Sequence, residues 1–346
     1  MLKVFTLSQS TEWDKTVKSF SDYDAYYLSG YVKSFEIHGD GEPLLFYYEN
    51  RGIRAINVVM KRDISNDARF KDKIEKDKYF DFITPYGYGG WIIEGDGDKS
   101  QLFEVYVKWC ADNGIVSEFV RLHPIICNFN NIAPAYEVVR LGNTVSMDLS
   151  SLDDIWDNLT SKNRNVIRKA EKSGVKIGQG NSEDLYDAFR VIYNGTMDRD
   201  NADRYYYFGK EFYCALRDGL KDNSAVFYAK NADGKIIAAS IILFCNDKMS
   251  YHLSGSVAEY RNIAPTNLLL YKAALWGCHN GYKTFHLGGG VGAHEDNLFK
   301  FKRAFYKGEL SEFYIGKKIF DCTKYNELLM LRPDREQSGF FPEYRS

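Results

Sequence analysis

Apolar residues along the chain fall into two kinds of run, and both kinds occur twice. In FYYENRGIRAI (46–56) and in FYAKNADGKIIA (227–238), two β-rich stretches flank a short polar turn containing Gly52 or Gly234, which is the pattern of a β-hairpin. Further on, apolar residues at helical spacing run into an Asn-Gly stop, with Leu102, Trp109, Asn113 and Gly114 in the first half and Leu269, Trp276, Asn280 and Gly281 in the second. A β-rich run follows each stop, IVSEFVRL at 115–122 and YKTFHL at 282–287. From Leu102 to Leu269 is 167 positions, and the same offset lays TPYGYGG (84–90) over YHLSGSV (251–257). The repeated unit is therefore hairpin, strand, small-residue loop, helix, strand. This predicts an α/β fold with mixed sheets, built from two divergent copies, one near 1–145 and one near 146–316. Between them, Asp153–Gly174 reads as one helix. The C-terminal segment, about 317–346, is a candidate to pack on the first copy, and its end, Arg332–Ser346, reads as a surface extension.

Composition changes this picture little. A length of 346 residues with 45% hydrophobic content suits two domains, and 26 Tyr and 23 Phe against 7 Pro argue against disorder. With 45 Lys+Arg and 47 Asp+Glu the net charge is -2, so attraction to a polyanion must be local. Two segments supply it. SKNRNVIRKAEKSGVK (161–176) carries Lys162, Arg164, Arg168, Lys169, Lys172 and Lys176 against Glu171 alone, and KFKRAFYK (300–307) carries Lys300, Lys302, Arg303 and Lys307 with no acid. The six cysteines are scattered and the histidines show no ligand spacing, which predicts reduced thiols and no metal site. No signal peptide or membrane-spanning run is present, so a cytoplasmic location is expected, with peripheral contact at the inner face of the membrane left open.

The candidate chemistry gathers in a few places. GGGVGA (288–293) after a strand matches a dinucleotide fingerprint, but too little chain follows it for the βα units such a fold needs. Gly288, Gly289 and Gly290 read instead as a strand end that a substrate or backbone approaches closely. A helix starting near Asp296 would line up Leu298, Phe301 and Phe305, with Lys302 at the rim, able to reach charge developing in a cleft. PYGYGGWIIEGDG (85–97) offers Tyr86, Tyr88 and Glu94 as a possible ligand wall, and 196–213 a second one with Arg204, Tyr205, Tyr206 and Tyr207. Both segments equally suit aromatic packing. No GxSxG, Walker A or Cys/His nucleophile pattern appears.

The segments SKNRNVIRKAEKSGVKI (161–177), PYGYGG, YHLSGS (251–256), APTNLLLYKAALWGCHNGYKTFHLGGG (264–290) and LFKFKRAF (298–305) resemble the Fem-type (FemABX) peptidyltransferases and their FemAB-like acyltransferase relatives. That resemblance implies tandem GNAT-like domains with a cleft in the second. It implies transfer of an aminoacyl group from aminoacyl-tRNA to an amine of a peptidoglycan precursor, without a cofactor or a covalent enzyme intermediate. The family's FKxxF motif corresponds to Phe301, Lys302 and Phe305, and implies that Lys302 stabilises charge on the reacting ester. Glu94 falls near the family's acid, although Trp91 stands where the family has proline, and Tyr251, Tyr205 and Tyr206 fall near substrate-holding positions. The basic segment, through Lys162, Arg164, Arg168, Lys169 and Lys172, is left as the expected contact for tRNA phosphates. There is no room for the coiled-coil arm of the larger relatives, and EYRNIAPTN (259–267) replaces the glycine-rich loop that holds acetyl-CoA in ordinary GNAT enzymes. Two alternatives remain at this level: an acyl-CoA- or carrier-dependent N-acyltransferase acting on an amino sugar or envelope precursor, and a non-catalytic binding module on the same scaffold.

Overall fold

The structure is a computed structural model and describes residues 1–336 and 339–346. They divide into two compact units, residues 1–141 with 313–346, and residues 142–312. The first contains β1 (Leu2–Phe5), α1 (Ser10–Lys18), α2 (Ser29–His38), β2 (Glu42–Asn50), β3 (Ile53–Asp63), β4 (Phe80–Ile83), β5 (Ile92–Glu94), α3 (Ser100–Asp112), β6 (Ile115–Arg121) and α4 (Phe129–Ile132). Strand β7 (Glu137–Asp148) leads into the second, with α5 (Leu152–Asp157), α6 (Ser161–Lys172), β8 (Lys176–Gly180), α7 (Glu183–Arg199), α8 (Lys210–Gly219), β9 (Ser224–Lys230) and β10 (Ile236–Cys245). It continues with β11 (Lys248–Ser256), α9 (Pro265–His279), β12 (Thr284–Gly288) and α10 (Asn297–Arg303). Strand β13 (Ser311–Ile319) and α11 (Cys322–Met330) then take the chain back to the first unit.

Strand order is β1-β2-β3-β4-β6-β13 in the first unit and β8-β9-β10-β11-β12-β7 in the second. In each, one parallel pair sits among antiparallel neighbours, and the register of that pair is the same in both. Asp81, Phe82 and Ile83 of β4 face Ser117, Glu118 and Phe119 of β6, while Lys248, Met249 and Ser250 of β11 face Thr284, Phe285 and His286 of β12. All six positions differ by 167. The helix stops match as well. Asn113 Nδ2 donates to the Trp109 carbonyl and Asn280 Nδ2 to the Trp276 carbonyl, both at 2.8 Å, and the glycine after each has positive φ. A side-chain cap followed by a left-handed glycine satisfies carbonyls that a helix end leaves open. Both predicted hairpins form; in the first, Arg51 and Gly52 take φ of 48° and 78°, the two-residue turn whose twist suits antiparallel strands.

One face of the second sheet carries Met147, Met249, Phe285 and Leu287 into a core completed by Ile167 and Ala170 of α6, Leu269 and Ala273 of α9, and Phe299 and Phe305 around α10. A Cβ on Gly277 would lie 2.3 Å from Met249 Sδ, so α9 lies directly on the strands. The opposite face takes α7, whose Ile192 carbonyl would be 2.8 Å from a Cβ on Gly255 of β11.

Two sequence expectations fail here. Asp153–Gly174 is two helices, because Thr160 is extended (φ -64°, ψ 150°) and its side chain caps a new helix by accepting from Asn163 N–H. Among the described residues of Arg332–Ser346 (337 and 338 lie outside them), Arg332, Pro342 and Tyr344 are buried, so the segment is anchored and not a free extension. Tyr344 is fully buried and its hydroxyl bonds to Asp81 and Ser117, while Arg345 pairs with Asp81 and Asp67 at 2.5 and 2.9 Å. Asp81 has no solvent exposure and also pairs with Arg62; the two guanidinium groups hold its carboxyl below the usual range despite burial. Removing that carboxylate would leave the mostly buried Arg345 with Asp67 as its one carboxylate and take the ion-pair partner from Arg62. Asp81→Ala is therefore expected to lower unfolding stability by about 3 kcal/mol or more in urea titration. A loss under about 1 kcal/mol would show that the C-terminal segment is held by packing alone.

Candidate active site

Strand β12 ends in glycines for steric reasons. Gly288 has φ 81°, a Cβ on Gly289 would come within 3.0 Å of the Asn143 carbonyl, and a Cβ on Gly290 would lie 2.0 Å from the His294 carbonyl and 2.4 Å from Asp296 Oδ1. The loop then folds back so that Asp296 does two jobs. Its Oδ1 accepts from Phe299 N–H at 2.8 Å, capping α10, and its Oδ2 accepts from Val291 N–H at 3.1 Å. Capping fixes the rotation of α10. Phe299 and Lys302 point inward, followed by Phe305, whereas Leu298 is exposed, so the expected stripe of Leu298, Phe301 and Phe305 is shifted: Phe301 is half-buried and meets Phe305 edge to face at 5.4 Å.

Lys302 is accordingly not at a rim. It is 9% exposed, and its Nζ donates to the Gly289 carbonyl oxygen at 2.7 Å. Burial lowers its pKa to about 8, against a smaller opposing effect of Asp296. A cation therefore sits at the glycine strand end, close to losing its proton at physiological pH. Asp296, which the sequence reading used only as a helix start, is the missed partner; an Asp three residues before a buried position at a helix start was the available signal.

Beside this strand end the sheet opens. Pairing of β11 with β12 covers Lys248↔Thr284, Met249↔Phe285 and Ser250↔His286, after which β11 runs on to Ser256 beside β10, and Gly288 of β12 pairs with Val145 of β7. A bulge between Ile241 and Ile242 puts Tyr251 opposite Ile242. Tyr251 faces the same core as Phe299 and Phe305, with Ser240 and Ser254 as side-chain partners, and burial raises its pKa. It remains a proton donor. His286 points to the other side of β12, bonded through Nδ1 to Ser146 Oγ at 2.9 Å.

In the first unit the strands at the equivalent place stay joined. Thr84 N–H donates to the Phe119 carbonyl at 3.0 Å, Arg121 N–H to Thr84 Oγ1 at 2.8 Å, and Gly89 N–H to the Arg121 carbonyl at 2.8 Å. Asn128 Nδ2 adds a bond to the Gly89 carbonyl. The offset of 167 puts Arg121, Leu122 and His123 at the positions of the three glycines, and Ala135 at that of Lys302. His123 is buried there with Asp24, at 2.9 Å.

The other sequence-derived candidates divide between the units. Tyr86 and Tyr88 belong to the stitching loop: Tyr86 stacks on Phe35 at 5.8 Å, and Tyr88 is enclosed by Tyr26, His123 and Phe313. Glu94 is committed to a structural pair, accepting from Arg54 at 2.5 Å and from Ser21 N–H and Oγ at 2.6 and 2.8 Å; those donors hold its carboxyl below the usual range although burial acts the other way. Such a carboxylate is a poor base. Tyr205 and Tyr206 join the aromatic cluster of Phe208, Phe212 and Tyr213 around α8, with Arg204 exposed beside them; the residues packed around α10 do not include them. On α6, Lys162 and Lys172 are exposed, but Arg164 contacts the Trp156 carbonyl, Arg168 lies over the Trp156 ring at 5.0 Å, and Lys169 donates to the Asn262 carbonyl at 2.7 Å. The basic face is thus partly built into the fold.

Comparison with known proteins bears on this arrangement. Residues 161–303, which include α6 to α10, match the family described as acetyltransferase (GNAT) domain. The UDP-N-acetylmuramoylpentapeptide-lysine N(6)-alanyltransferase of Weissella viridescens is 23% identical over 215 residues, covering 60% of this chain and only 62% of that relative's length. A crystal structure of FemX superposes with a TM-score of 0.68 at 13% identity, over 94% of this chain and 99% of that one. The C-terminal domain of a putative lysylphosphatidylglycerol synthetase from Agrobacterium fabrum gives 0.59 at 15%, over 95% and 97%. With a GNAT domain match over residues 161–303, an alanyltransferase relative and the fold of FemX, the chain is similar to Fem-like GNAT proteins.

Proposed function

We propose that the protein is an aminoacyltransferase that moves an aminoacyl group from aminoacyl-tRNA to an amine of a peptidoglycan precursor. The observation that carries this reading is the buried Lys302 ammonium at the glycine end of β12, beside strands that part in the second unit and are stitched together in the first. An activated ester laid in that opening would place its carbonyl within reach of a cation in a partly desolvated setting, where electrostatic stabilisation acts strongly. The acceptor nitrogen attacks the carbonyl carbon, a C–N bond forms, and the C–O bond to the ribose breaks. The proton lost by nitrogen ends on the leaving ribose oxygen, and Tyr251, which keeps its proton, is the group assigned to relay it. No enzyme-bound acyl group is required. The alanyltransferase relative, named for a lysine amine on a muramoyl pentapeptide, supports the acceptor class.

A specific feature disfavours the acyl-CoA alternative. At the start of α9, residues Ala258–Ile263 form a tight 3-10 turn, Lys169 occupies the Asn262 carbonyl, Ala264 is left-handed (φ 53°), and Pro265 has no N–H to offer. The Ala264 and Asn267 N–H groups are already bonded to the Arg261 and Ala264 carbonyls, so neither is left for a pyrophosphate.

Lys302→Met is expected to keep the fold, checked by circular dichroism, and to lower turnover by about 100-fold or more. Near-normal turnover would remove Lys302 from the mechanism. Because the role needs the ammonium and burial puts the lysine pKa at about 8, turnover should fall as pH rises through about 8, and Lys302→Arg should move that limb upward. A rate that climbs through the same range would instead make Lys302 a base. Incubation with labelled aminoacyl-tRNAs and with acyl-CoAs, using a muramoyl-pentapeptide acceptor, should give transfer from aminoacyl-tRNA only. Transfer from acyl-CoA alone would establish the other donor, and binding without turnover a non-catalytic role.

A further inference from the structure

Strand β10 is apolar along most of its length, and Ser240 interrupts it. Ala238, Ala239, Ile241 and Ile242 on either side are fully buried, and Ser240 itself has no solvent exposure. A hydroxyl buried in such a strand costs free energy unless it is bonded. Ser240 meets Ser254 of β11, the residue directly opposite it, with the two oxygens 2.9 Å apart. Two alanines would pass through the same ladder with no polar group to satisfy, so packing alone gives no reason for the pair. The reason lies one bulge away. In a regular strand Tyr251 and Ser254, three positions apart, face opposite sides. Here Ile241 pairs with Leu253 and Ile242 with Tyr251, which leaves His252 as the extra residue. Tyr251 is thereby turned to the face of Ile242, Ser240 and Ser254, the face that packs with Phe299 and Phe305. Burial raises the Tyr251 pKa, and hydrogen bonds from Ser254 and Ser240 act against that rise. The offset of 167 puts Thr84 and Gly87 at the positions of Tyr251 and Ser254, so the copy whose strands stay joined has neither the phenol nor its serine.

We propose that Ser240 and Ser254 are positioning residues that aim the Tyr251 hydroxyl at the reacting group. The inference deepens the function proposed above and rests on it. Each serine has one proton to donate. One is used in the contact between the serines and the other is given to the Tyr251 oxygen, so the phenol's own proton is the one left to point into the opening. In the transfer step Tyr251 passes that proton to the departing ribose oxygen and takes one from the attacking nitrogen, ending as it began. While the C–N bond forms and the C–O bond breaks, negative charge passes through the phenol oxygen. A hydrogen bond donated to that oxygen strengthens as the charge develops, so it acts on the transition state more than on the resting enzyme. The serines neither gain nor lose a proton.

The test joins NMR and kinetics on the full chain. With tyrosine labelled at the ring carbon that bears the hydroxyl, the Tyr251 resonance, assigned through Tyr251→Phe, should shift in Ser254→Ala. Ser240→Ala, which leaves Ser254 in place, gives a second reading in the same direction. In transfer from aminoacyl-tRNA to a muramoyl-pentapeptide acceptor, Ser254→Ala should lower kcat about 10-fold with KM nearly unchanged, the scale of one hydrogen bond made in the transition state. Ser254→Thr, which keeps the hydroxyl, should restore most of that loss. In a Tyr251→Phe background the same Ser254→Ala change should cost less than about twofold, because the group it acts through is gone. A Tyr251 resonance that neither serine variant moves would show that the spare serine proton goes to the Ala239 carbonyl, 3.5 Å from Ser254 Oγ, and would overturn the proposal. Equal losses of kcat with and without the Tyr251 hydroxyl would overturn it as well. Transfer that the serine variants leave intact sinks only the positioning role, whereas no transfer from any donor by the wild-type chain sinks the functional reading itself.

Discussion

A lysine ammonium that has lost most of its water needs a reason to be where it is, and in this protein the reason is the hydrogen bond from Lys302 to the Gly289 carbonyl. Several other features exist to make that bond possible. Gly288 takes a left-handed φ of 81°, Gly289 lets the backbone after β12 lie close to Asn143, and at Gly290 a side chain would collide with His294 and Asp296. Asp296 caps α10 and so sets the rotation that turns Lys302 inward and Leu298 outward. The arrangement holds a positive charge at a strand end at some cost in desolvation, and that cost appears as a lysine pKa lowered to about 8.

The two copies show what happens to the same scaffold with and without that device. Register in the parallel pair and the Asn cap at the helix stop are unchanged between them, so the framework diverged little. What changed is the strand end. In the first unit Thr84 and Gly89 continue the strand pairing, His123 stands in place of a glycine, and a buried histidine–carboxylate pair fills the position. In the second, β11 and β12 part after three residue pairs. The proposed chemistry rests on the copy whose strands part, whereas the first copy holds buried polar networks, with Asp81 tied to the C-terminus and Glu118 held by Asn57, Tyr106 and Tyr136.

Local rules carried most of the fold into the sequence. The hairpins were legible because Gly52 and Gly234 mark their turns, and the repeat because Asn-Gly stops recur at a fixed offset. The start of α10 was legible at Asp296 for the same reason. Apart from the rotation of α10, which the local Asp296 cap sets, the differences are cases where a distant partner decides. Thr160 ends one helix and begins another because Ala304, far along the chain, takes its N–H. Tyr344 and Arg345 look like a polar tail until Asp81 is known to be buried beneath them. The PYGYGG loop could be read as a ligand wall or as packing; its role in zipping two strands together depends on carbonyls of β6 that no local pattern announces. The pairing of Glu94 with Arg54 and Ser21 likewise depends on partners that no local pattern announces.

The central claim is that Lys302 is a cation poised to meet negative charge at the open strand end. Its most direct test is an NMR titration of the lysine side chains in uniformly labelled protein, with the Lys302 signal assigned through Lys302→Arg. Lys302 should titrate near 8, far below the other lysines, and its pKa should rise when a phosphonate analogue of the tetrahedral acyl-transfer intermediate is added. A Lys302 that titrates with the exposed lysines near 10.4, and does not respond to the analogue, would contradict the account.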